Sequence, residues 1–155
     1  MGLREWSVDE VVSRQNKMSL SISEILQRAD TIEKKEEKIA WLREHDSLGL
    51  RAVLMACFNP NIKWLLPAGD PTYKPAEFLD LQGRLYNETT HFNLFIEGGH
   101  PTLTQKRREQ LFLQVLESVT PTDAKLLLSI KDKKMPYKSV TEKLVHEAFP
   151  DIGQQ

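Results

Sequence analysis

Apolar residues recur every three or four positions through most of this chain. Ile22, Ile25, Leu26 and Ala29 form one stripe, and Leu50, Val53, Leu54, Cys57 and Phe58 a second. Leu111, Phe112, Val115, Leu116 and Val119 form the clearest. Ala124, Leu127 and Leu128 follow, then Val140, Leu144, Val145 and Ala148. That spacing places each set on one helix face. No stretch alternates apolar and polar long enough for a sheet. The pattern predicts an all-α fold, a single compact domain of about seven or eight helices.

Punctuation agrees with periodicity. Ser7, Ser21, Asp30 and Ser139 each precede a Glu by three residues, as in a capping box. Thr120-Pro121-Thr122-Asp123 predicts another start, with Thr120 as cap and Pro121 where no N–H is needed. Breaks are expected at Asn59-Pro60, through Leu66–Pro75, at Glu97–Pro101 and at Lys133–Lys138. After the third break, Thr102 or Thr104 starts the next helix. Residues 1–17 read as an N-terminal extension or a short helix from Val8 to about Arg14, and 18–155 as the domain itself.

Composition narrows the function classes. The 155 residues carry 21 basic and 22 acidic side chains, a net charge of −1. This excludes a globally basic nucleic-acid coat and leaves room for a local basic patch. The single cysteine excludes a disulfide framework and a cysteine-based zinc site. No apolar run approaches a membrane span, and the expected setting is cytoplasmic. No phosphate loop, dinucleotide fingerprint or hydrolase elbow occurs. His45, His91, His100 and His146 are scattered, so no metal site is expected. Cys57 lies on an apolar stripe and reads as an inert buried thiol. Glu88 and His91 share a helical face, as ordinary helix pairs do. The expectation is a protein without enzymatic activity or cofactor.

One charge cluster stands apart. Lys131, Lys133, Lys134, Lys138 and Lys143 face only Asp132 and Glu142, a surplus of three. With the free N–H groups expected near Ser139, they would make a phosphate-binding corner. On charge alone the same lysines read first as a solvated loop completing the preceding helix's C-terminus. Lys106 and Arg107, in a first helical turn, are a second small basic run.

Leu126–Met135, a turn, and Ser139–Pro150 resemble a signature of the N-terminal helical DNA-binding domain of ATP-dependent DNA ligases. There an Asp-Lys-x-Leu-Arg-x-Gly-like turn grips the nucleic-acid backbone, and the next helix runs to a Phe-Pro. Ala52–Trp64 is similar to the same domain's Tyr-Asn-Pro-x-Ile-x-Phe segment. The resemblance covers roughly residues 24 to 152. It extends to small uncharacterised proteins of T-even-like tailed phages. The turn departs from the pattern, with Pro136, Tyr137 and Lys138 where the family has Arg and Gly. No Lys-x-Asp-Gly adenylation motif occurs, so ligase activity is excluded. The resemblance implies a stand-alone module binding duplex DNA through backbone phosphates, with Lys133 and Lys138 carried over as backbone contacts. The charge pattern and the expected helix start add Lys131, Lys134, Ser139, Lys106 and Arg107. The alternative is an adaptor docking on a host or viral protein, with Trp64 and Tyr73 as exposed anchors.

Overall fold

A computed structural model describes residues 20–77 and 81–152. Among these, seven α-helices follow in order: α1 (Ile22–Thr31), α2 (Lys35–Glu44), α3 (Leu48–Phe58), α4 (Arg84–Glu88), α5 (Gln105–Ser118), α6 (Pro121–Lys131) and α7 (Glu142–Ala148). A 3-10 turn, Thr89–Leu94, extends α4. Among the described residues there is no sheet; the only bridge is antiparallel, Trp64 to Ile96. The expected all-α single domain is what forms. The cap expected at Ser7 and the helix from Val8 lie outside the described residues.

The helices form where local chemistry dictates. The Ser21 hydroxyl accepts from the Glu24 N–H, and Thr104 from the Arg107 N–H. Thr120 accepts from the Asp123 N–H, with Pro121 opening α6. Ser47, which has no Glu three residues on, caps α3 through the Leu50 N–H. Each cap satisfies an N–H that the helix itself leaves orphaned.

Two expected starts are wrong. Asp30 lies in the last turn of α1, and α2 begins at Lys35 without a side-chain cap. Ser139 precedes α7 without capping it; the cap is Thr141, accepting from the Leu144 N–H at 3.2 Å.

The apolar stripes converge around α3 and α6. Leu50, Val53 and Leu54 are fully buried, as are Leu127 and Ile130. α1 and α5 flank α6, while α4 and the 3-10 turn cover α3. α2 closes against α7, where the Arg43 guanidinium donates to the Glu147 and Ala148 carbonyls. Gly49 lets α3 and α4 approach closely, since a Cβ there would lie 3.0 Å from the Tyr86 ring. Residues 59–77 cross the surface between α3 and α4. They are anchored by Leu65 N–H to Phe95 O and Glu97 N–H to Lys63 O, both 2.8 Å.

Candidate nucleic-acid interface

The lysine-rich turn begins where α6 stops. The Lys133 N–H donates to the Ile130 carbonyl and the Lys134 N–H to the Ser129 carbonyl, each at 2.9 Å. This is a Schellman closure, and it places Lys133 in the left-handed region, at φ 60°. Glycine favours that position; here a lysine holds it.

The side chains of this turn divide. Lys131 is buried, and its ammonium donates to the Pro67 carbonyl (3.0 Å), the Gly69 carbonyl (2.6 Å) and Asp132 Oδ1 (3.0 Å). The Lys133 ammonium donates to the Ala56 and Asn59 carbonyls, at 2.9 and 2.8 Å. It therefore sits at the C-terminal end of α3, where the helix dipole favours a cation. Burial pulls the Lys133 pKa below its ordinary value, against the opposing effect of Cys57 beside it. The expectation that both ammonium groups lie free along a phosphate backbone is corrected: each is held by backbone carbonyls of the fold, Lys131 as a buried residue and Lys133 as an exposed one.

Ser139 is likewise engaged. Its N–H donates to Asp30 Oδ1 at 2.9 Å, and its hydroxyl donates to the same oxygen at 2.5 Å. These bonds, from the hydroxyl first, hold the Asp30 carboxyl below the usual range. The subsite expected for a phosphate is filled by the protein's own carboxylate.

Lys134 and Lys138 remain exposed, and neither ammonium has a partner among the described residues. Lys106 and Arg107 are also exposed, in the first turn of α5. A cavity between α5, the end of α6 and residues 66–71 has Asp70 and Glu109 in its lining, with the bound Lys131.

What the tertiary structure does bring together is the lysine turn and the segment after α3. Residues 60–69 and 131–134 line one open groove of about 750 Å³. Lys63, outside the predicted lysine cluster, lines the groove as an exposed residue with Lys134. Its signal was present, since it belongs to the Asn-Pro-Asn-Ile-Lys-Trp run. Trp64 forms part of the groove wall but is held inward. Its Nε1–H donates to the Ala56 carbonyl at 3.0 Å, and its ring meets Phe92 edge-on with centroids 5.3 Å apart. Tyr73 is half-buried against the core, and burial raises its phenol pKa, with Asp70 adding to the shift. Neither is the exposed anchor that the adaptor alternative requires.

Other reactive side chains are dispersed. Burial pushes the Cys57 thiol up to about 11, overriding the Lys133 cation nearby, so it is protonated at neutral pH. Glu88 and His91 line a separate cleft under α5, where Glu88 pairs with Arg84 at 3.6 Å. His45 is buried against Trp41, and His146 lies 3.6 Å from Glu142. Among the described residues, no three metal-ligating side chains cluster, and no helix is long and apolar enough to cross a membrane.

No curated protein and no solved structure matches the chain. Residues 25–137, which include both walls of the groove, match the profile of a family of unknown function, DUF6433, and the chain belongs to that family.

Proposed function

We propose that this protein is a non-enzymatic module that binds duplex nucleic acid through backbone phosphates, in the groove between residues 60–69 and the 131–134 turn. Lys63 and Lys134 would contact phosphates directly, with Lys138 extending the track. Lys131 and Lys133 would act beneath them, fixing the backbone on which those contacts stand. One observation carries this reading. The two segments that resemble the ligase DNA-binding domain lie some seventy residues apart, yet Lys133 ties them together and they wall one open groove. The groove's free charges are cationic, and its half-buried tryptophan is pinned by the Ala56 carbonyl and packed edge-on against Phe92. Both features suit a rigid, sequence-blind backbone contact. The resemblance to tailed-phage proteins makes the host cytoplasm the proposed setting.

Fluorescence anisotropy of a labelled duplex, measured across salt concentrations, tests this. Three free lysines predict a slope of log K against log salt of roughly −2.7, from about −0.9 per neutralised phosphate. Lack of duplex binding at low salt would overturn the proposal.

A further inference from the structure

The loop that walls the basic groove has a second side. Beneath residues 66–71, against α5, lies a cavity of about 160 Å³. Its walls are apolar: Leu66, Pro67, Phe112 and Leu113. A dry apolar cavity of ~150 Å³ holds a benzene-sized group, so this one accepts a single leucine- or phenylalanine-sized side chain. Its rim carries Asp70 and Glu109. The one cation in its lining, Lys131, is bound to two carbonyls and Asp132, and its side chain is only 2% exposed. The charge offered to a ligand is therefore negative.

The loop is also fixed before any ligand arrives. Besides the two bonds from Lys131, the Gly69 N–H donates to Asp132 Oδ2 at 3.3 Å. Gln105 Nε2 donates to the Leu65 carbonyl at 2.7 Å, and the Lys74 N–H donates to Glu117 at 2.9 Å. A wall fixed in this way loses little conformational freedom on binding.

We infer that this cavity is a docking site for a peptide segment of a partner protein, one that places an aliphatic or aromatic side chain beside a lysine or arginine. The apolar side chain would fill the cavity between Leu66 and Leu113. The cation beside it would meet Asp70 and Glu109. A phosphate is repelled by the same two acids, so this site takes a ligand of opposite charge to that of the basic groove, with which it shares Leu66, Ala68, Gly69 and Lys131. The inference does not depend on nucleic-acid binding.

Display of short random linear peptides against the full chain tests it, followed by anisotropy of the enriched peptides. Enriched sequences should pair a large apolar residue with an adjacent Lys or Arg, and binding should weaken as salt rises. Leu113→Trp, which fills the cavity, and Glu109→Lys, which reverses the rim charge, should each weaken binding at least tenfold. Thermal melts report whether each variant folds; should Leu113→Trp not fold, Glu109→Lys on the rim still decides. Absence of enrichment, enrichment of acidic peptides, or binding unchanged in a folded Glu109→Lys variant would overturn the proposal.

Discussion

Lys133 gives the sharpest test of how the turn is built, because two opposing effects meet in one residue. Its backbone is left-handed, at φ 60°, which costs a non-glycine residue about 1 kcal/mol. Its ammonium closes two carbonyls, Ala56 and Asn59, at 2.9 and 2.8 Å. Two such bonds in a partly exposed setting contribute about 1–2 kcal/mol net. Lys133→Ala keeps the strained backbone and loses both bonds, so it should cost about 1–2 kcal/mol. Lys133→Gly loses the same bonds but relieves the strain. It should therefore be about 1 kcal/mol more stable than the alanine variant, and near the parent. Urea unfolding at neutral pH resolves this difference, and a thermal melt should separate Gly from Ala by about 3 °C. An alanine variant as stable as the glycine variant would refute the left-handed closure. An alanine variant as stable as the parent would show that the ammonium bonds contribute nothing.

Lys131→Met should destabilise by about 3 kcal/mol, because it leaves Asp132 and two loop carbonyls without their buried cation; urea unfolding measures the loss, and amide exchange at Gly69 should accelerate. Ser139→Ala and Asp30→Ala should each cost about 1 kcal/mol and couple strongly in a double-mutant cycle, whereas Ser139→Ala and Thr141→Ala should add, since Thr141 is the helix cap. The pH dependence of stability should separate two aspartates. Asp30 is held low by Ser139, so its contribution is present at neutral pH and is lost as pH falls below about 4. Asp123 is fully buried, with Oδ1 accepting from the Ser23 N–H and Oδ2 unpaired, and burial raises its pKa. Its charged form is disfavoured in the fold, so stability that it supports at low pH is lost as pH rises through that raised value. Asp123→Asn should accordingly gain on the parent as pH increases, in unfolding curves recorded across that range. Finally, Lys63→Glu with Lys134→Glu should abolish duplex binding at moderate salt in anisotropy, while melts move little, since exposed charge changes usually stay within about 0.5 kcal/mol.

Much of the fold is dictated locally, and that part was legible. Helix periodicity and the caps at Ser21, Thr104 and Thr120 depend on residues three or four apart, so the linear sequence contains the information. The end of α3 at Asn59-Pro60 is equally local. Capping-box form alone did not separate true starts from false ones. Asp30 and Ser139 have the same three-residue spacing to Glu as Ser21, but they bind each other across 109 positions. No local rule anticipates a partner that distant. The lysine corner was legible as charge and not as function. Lys131 continues the stripe of Ala124, Leu127 and Leu128, a helical phase that already pointed it inward. The placing of Lys133 at the end of α3 has no such signal, because it depends on a left-handed turn that the sequence would assign to glycine. Lys63 and Lys134 share a groove only because α3 and α6 pack side by side and bring their C-terminal ends together. Local hydrogen bonding and periodicity thus determined the helices. The use of each charged side chain was decided by packing, because a buried ammonium or carboxylate must find its partner wherever the folded chain supplies one.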